Sequence, residues 1–170
     1  MARRQSLRVL VWGPGKPDSD ATTEQVRRYK KRCDIRDEVA SAFKESEVHF
    51  SEDPELDRLT AGTRRLLRKE ALHAKWAHVV LMLDVSRGVD LELDHFVPSY
   101  PWFRDKAYVF LPQRYVGATG LVSDVLNLLP RSQVIGFTDD DFSACRIAKK
   151  MAVDIVDEIA SDQLLRMMGR

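Results

Sequence analysis

Along the 170 residues, short apolar runs alternate with longer stretches in which apolar positions recur at helical spacing. Leu7 to Trp12 is a short run rich in leucine and valine, closed by Gly13-Pro14-Gly15, which predicts a buried strand stopped by a turn. A polar loop follows, and Thr22 or Thr23 can cap a helix running to about Glu45. The first half of that helix is basic, from Arg27 to Arg32, whereas Ile35, Val39, Ala42 and Phe43 keep the spacing of a core-facing stripe. Val48 to Phe50 predicts a second, short strand, with a loop at 51–54. A helix over Thr63 to Lys75 comes next, expected to turn Leu66, Leu67, Ala71 and Leu72 inward and Arg64, Arg65, Arg68 and Lys69 outward. His78 to Asp84 is almost continuously apolar, as strands covered on both faces are. The remaining pattern predicts a short helix at 90–97, a strand at 107–111, a helix at 120–129, a strand at 133–137 and a final helix from about Asp140 to Met167. Ile147, Met151, Ile155 and Ile159 form one stripe of that last helix.

Five alternations of strand and helix imply right-handed crossovers and a parallel sheet with helices on both faces. The expected fold is α/β: a flavodoxin-like three-layer domain over residues 1–170, with a five-stranded parallel sheet in the order 2-1-3-4-5. In open sheets of this kind ligands bind outside the carboxyl ends of the strands, where the strand order reverses. That rule marks two loops, Gly13 to Thr23 and Val85 to Leu91.

Composition narrows the partners rather than the fold. A chain that is 44% hydrophobic and 31% charged has the makeup of an ordinary globular domain, with no long apolar stretch to place it in a membrane. Twenty-seven basic residues against 26 acidic ones leave a net charge of +1, which gives no whole-molecule field for nucleic acid. Cys33 and Cys145 lie far apart without metal-ligand spacing, and the first residues lack the apolar run of a secretory signal. A cytoplasmic location with both thiols free is the expectation. None of the four histidines pairs with another at ligand spacing, and no metal site is expected.

Chemistry concentrates at the carboxyl end of the most apolar strand, in Asp84-Val-Ser-Arg-Gly-Val-Asp-Leu-Glu92. Gly88 allows a tight turn, and Glu92 falls early in the helix that follows, where a carboxylate is favoured by the helix dipole and can point back over the strand ends. The plainer reading of the same residues is that Ser86 or Asp90 caps the helix and Glu92 only favours its dipole. Gly13-Pro14-Gly15 brings backbone N–H groups to the same region, although Lys16 does not complete a nucleoside-triphosphate loop. Trp12 can stack on a base or nicotinamide ring or serve the core.

The run Ser86-x-Gly88-x-x-x-Glu92 after an apolar strand resembles the nucleoside deoxyribosyltransferase signature and is similar to TIR domains, in which a Glu on the helix after the third strand is essential for cleaving NAD. Arg36 to Phe43 leading to Val48 to Asp53 resembles the first helix and second strand of TIR-like proteins, and Gly13-Pro14 echoes the end of the deoxyribosyltransferase first strand. Ser86 departs from the Asp of the deoxyribosyltransferase motif. What the resemblance implies is an enzyme that breaks an N-glycosidic bond, an NAD glycohydrolase or a nucleoside or nucleotide ribosyltransferase, acting in bacterial defence or signalling. It implies Glu92 as the catalytic carboxylate, and Trp12, Gly13, Pro14, Gly15, Asp84, Ser86 and Gly88 around the substrate. NAD or a nucleotide is then substrate rather than cofactor, with homo-oligomers or an activating protein as possible partners. From a different class, the alternative is a non-catalytic TIR-like or flavodoxin-like module that binds a nucleotide or a protein. A receiver-like domain is disfavoured because the acidic cluster that holds Mg²⁺ after the first strand is missing.

Overall fold

The computed structural model describes residues 6–83, 87–116, 121–138 and 146–169, with the backbone alone described at 87–90, 121–122 and 146–148. Strands β1 (Arg8–Trp12), β2 (Glu47–His49), β3 (Val79–Leu83), β4 (Ala107–Pro112) and β5 (Val134–Phe137) form one sheet in the order β2-β1-β3-β4-β5. Every pairing is parallel, with Leu10 opposite His49 and Val80, Met82 opposite Val109, and Phe110 opposite Ile135. This is the flavodoxin-like order expected from the alternation of elements, with β3 central and all five of its residues buried.

Helices α1 (Thr23–Ala42), α2 (Pro54–Leu59), α3 (Leu66–Trp76), α4 (Arg87–Ser99), α5 (Pro101–Arg104), α6 (Leu121–Leu126) and α7 (Arg146–Met168) complete the described chain. Side-chain alternation along the strands divides the core in two. Val9, Val11, Leu81 and Leu83 point to one face, packed with Ile35 and Val39 of α1 and Ala152, Ile155 and Val156 of α7. Leu10, Trp12, Val80 and Met82 point to the other, under Ala74 of α3, Leu93, Phe96 and Val97 of α4, Phe103 of α5 and Val125 of α6. No helix among the described residues is long and apolar enough to cross a membrane.

Helices α2, α3 and α1 each differ from the sequence expectation. The loop after β2 contains the extra helix α2, started by Pro54, whose fixed φ suits the first helical turn. Helix α3 is rotated: Glu70, His73 and Ala74 are buried, while Leu66 is 70% exposed and Leu67 and Leu72 are exposed as well. The buried set keeps i, i+3, i+4 spacing; Glu70 and the Nε2 of His73 find partners inside, whereas His73 Nδ1 is buried without one. His73 Nε2 lies 3.1 Å from the Leu56 carbonyl and 3.3 Å from Thr60 Oγ1. Helix α1 begins as expected, with Thr22 and Gln25 forming a reciprocal cap. Its basic half is not wholly solvated, because Arg32 is only 2% exposed.

Candidate functional site

Parallel pairing puts the carboxyl ends of β1, β2 and β3 on one edge, and the segments that leave β1 and β2 meet there. Trp12 ends β1 and donates its indole N–H to Ser51 Oγ at 2.6 Å, two residues beyond β2. Ser51 donates its hydroxyl to Glu70 Oε2, also at 2.6 Å, from the second turn of α3. Glu70 is buried, and burial raises its carboxyl above the usual carboxylate range, while the Ser51 hydrogen bond and the Arg32 charge pull it back.

Arg32 crosses beneath this chain of bonds. Its two terminal nitrogens hold Glu52 in a fork, at 2.6 and 2.8 Å. Nε and one terminal nitrogen donate to the Val11 carbonyl at 3.1 and 2.9 Å, and the other donates to the Pro14 carbonyl at 3.2 Å. All five N–H donors are used, which offsets the cost of burying the guanidinium. Its plane also lies 4.0 Å over the Phe50 ring. Gly13 is small for this reason: a Cβ there would meet Arg32 Cδ at 3.1 Å and Leu83 Cβ at 3.4 Å.

Glu92 enters from the second turn of α4, partly buried. Desolvation, then the charge of Glu70, pushes its carboxyl up to about 8; Glu52 adds to the rise, and Arg32 opposes it. The side chains that act on it therefore come from α1, from the segment after β2, and from α3. Its helix is locked to β1 by Phe96, whose ring centroid is 5.2 Å from that of Trp12.

The two loops marked by the switch-point rule fare differently. Trp12 and Glu92 do lie at the same edge of the sheet. Trp12 is 1% exposed, covered by Phe96 and by Phe103 at 5.4 Å, so its ring faces belong to the core and offer no stacking surface. Its contribution to the site runs through the indole N–H. Gly13 and Pro14 serve to seat Arg32, whereas Gly15 is exposed with open space around it. Gly88 lies inside α4, which begins at Arg87, rather than in a turn before the helix, and Asp90 is likewise inside it instead of capping it. Asp84 and Ser86 lie outside the described residues, as does the acidic run Asp139 to Asp141. The aromatic stretch Pro98 to Phe103 packs on the core through Phe103, which is fully buried.

Sequence reasoning missed Glu70, Ser51, Arg32 and Glu52. Glu70 was within reach, because with His73, Ala74 and Ala77 it forms a helical stripe that the leucines of the same segment outweigh. Among the described residues no group of three or more His, Cys, Asp or Glu side chains is arranged to hold a metal ion. A groove of about 380 Å³ lies at the opposite edge of the sheet, between the ends of α1 and α7, lined by Leu7, Phe43, Ala160, Leu164 and Met167 among others. The chemistry-bearing cluster is elsewhere, at the carboxyl ends of the strands. No family model matches this sequence, and no curated protein matches it.

Proposed function

We propose that this protein cleaves N-glycosidic bonds, with NAD or a related nucleotide as substrate and Glu92 as the carboxyl that acts at the sugar. The observation that carries the reading is the position of Glu92 at the carboxyl edge of β1 and β3, desolvated and in the field of Glu70. Breaking the bond between a sugar and a base builds positive charge on the sugar, and a carboxylate close to the anomeric carbon stabilises that charge or attacks the carbon. A carboxyl destabilised as an anion gains most when a cation forms beside it, because the same low dielectric that raised its proton affinity strengthens the new attraction. With NAD the leaving group is a nicotinamide that already carries positive charge, so no proton donor is required. Arg32 and Glu52 support the site by fixing the Gly13-Pro14 turn, and Ser51 by orienting Glu70.

A non-catalytic nucleotide- or protein-binding module is the second reading. The commitment of Trp12 and Arg32 to interior contacts, which leaves neither free to hold a nucleotide, favours the protein-binding form of this reading. The two readings separate on one experiment: incubation of the purified protein with NAD and with a panel of nucleosides, followed by chromatography for released base. Release of nicotinamide or of a nucleobase supports the enzyme. Binding without release, at protein concentrations high enough for self-assembly, supports the module.

A further inference from the structure

At the amino-terminal edge of the sheet, the first residue of β1, the last turn of α3 and the residue before β4 bring the cations Arg8, Lys75 and Lys106 together. Arg8 opens β1 and Trp12 closes it, so at about 3.3 Å per residue this edge lies roughly 13 Å from the Glu92 edge. Lys106 Nζ donates to the Ala77 carbonyl at 2.7 Å and lies 3.5 Å from the Lys75 carbonyl. It also lies 5.1 Å over the Trp102 ring, as the Arg8 guanidinium lies 5.4 Å over Trp76. Among the described residues none of these three cations has a carboxylate in an ion pair. Burial, then the charges of Arg8 and Lys75, push the Lys106 amine down to about 8. Arg8 thus differs from Arg32, whose donors are all engaged by oxygens.

The ring of His78, which precedes β3, shows what this cluster lacks. Its Nδ1 accepts the backbone N–H of Arg8 at 3.0 Å. A backbone N–H only donates, so Nδ1 carries the lone pair and the ring proton sits on Nε2. Burial, then the charges of Arg8 and Lys106, lower the ring below the ordinary histidine value and favour this neutral form, against the opposing field of the exposed Glu47 carboxylate. The Nε2–H therefore meets Arg8 Nη2, itself a donor, at 3.1 Å. An anionic oxygen seated against both nitrogens accepts from both, and the charges of Lys106 and Lys75 add to the attraction. A phosphate dianion balances two of the three cations, where a carboxylate balances one.

We infer that Arg8, Lys75, His78 and Lys106 form a binding site for a phosphate dianion, free or carried as a monoester, at the amino-terminal edge of the sheet. Arg8 and His78 supply the directed donors, and the two lysines supply charge. The site is separate from Glu92 and stands whether or not the N-glycosidase reading does.

The test is titration of the ¹⁵N-labelled protein with inorganic phosphate, over about 0.1 to 20 mM at an ionic strength held constant with sodium chloride, read by histidine side-chain ¹H–¹⁵N correlation. The free protein should show His78 as the Nε2–H tautomer, and phosphate should shift that nitrogen saturably. Arg8→Gln and Lys106→Gln should each raise the phosphate Kd about tenfold or more in calorimetry, with circular dichroism showing that the variants are folded. The His78 measurement on the parent protein decides the matter even where a variant does not fold. Glycerol 3-phosphate distinguishes the two sources of the anion: a lower Kd than that of inorganic phosphate assigns the site to a monoester, and an equal or higher one assigns it to free phosphate. The inference is overturned by a His78 that carries its proton on Nδ1, or by the lack of a saturable shift with either anion. It is equally overturned by a shift that chloride alone reproduces, or by folded variants that bind as tightly as the parent.

Discussion

Replacing Glu92 by Gln keeps the size and polarity of the side chain and removes its ionisation, so its effect on stability isolates the cost of the charge. A carboxyl that titrates at about 8 in place of 4.5 costs the folded state on the order of 5 kcal/mol once ionised, at about 1.4 kcal/mol per tenfold change in the ionisation equilibrium. The sign follows from the raised value. Below pH 4.5 the group is protonated in the folded and unfolded chains alike, and the parent has no penalty. Between 4.5 and 8 the unfolded chain releases the proton while the folded one keeps it, so stability is lost progressively as pH rises; above about 8 the loss is complete. The amide of the Glu92→Gln variant does not titrate. Parent and variant should therefore share one midpoint near about pH 4, and the variant should unfold higher at about pH 9, by on the order of 10 °C if the full ~5 kcal/mol is realised in a chain of this size. Thermal unfolding followed by circular dichroism at both pH values measures it. Equal midpoints at the higher pH would show that water reaches Glu92 freely and that its desolvation is not a property of the molecule.

Two other substitutions probe the supports of the site. Ser51→Ala leaves the buried Trp12 N–H and Glu70 without their shared hydroxyl and should cost about 1–3 kcal/mol in urea unfolding, with a change in tryptophan fluorescence; an unchanged midpoint would mean that water substitutes for the hydroxyl. Phe103→Ala empties a fully buried position against Trp12 and Phe96 and should cost about 3–5 kcal/mol by the same assay, whereas a loss under about 1 kcal/mol would contradict the packing that ties α4 to β1.

The fold was legible because its determinants are local. The run from Val79 to Leu83 is apolar at every position, which marks a strand covered on both faces, and helical stretches of adequate length between strands leave parallel crossovers as the consistent topology. Half of the site was legible for the same reason, since the end of a central strand and the first turns of the next helix can be located from pattern. The other half depends on pairings across long stretches of chain. Ser51 reaches Glu70 over 19 residues and Trp12 over 39, and Arg32 reaches Val11 over 21, none of which leaves a periodic trace. Helix α3 shows the consequence most plainly. Its leucines argue for one inward face, yet the face that turns inward carries Glu70, bonded to Ser51, and His73, bonded through Nε2 to the Leu56 carbonyl although its Nδ1 stays unpartnered. Hydrophobic count alone does not rank two faces when the polar groups of one find hydrogen-bond partners in the interior. Trp12 was ambiguous between stacking surface and core, and the aromatic rings of Phe96 and Phe103, both distant in sequence, decide for the core.

The most direct test of the account compares the parent and Glu92→Gln for base release from NAD at about pH 8.5, where Glu92 is largely ionised and the variant is fully folded. Loss of one charge that acts only as the sugar becomes a cation should lower kcat by roughly two orders of magnitude or more, with a much smaller change in KM. Equal turnover by the two proteins would contradict the central claim and reduce Glu92 to a buried carboxyl of α4.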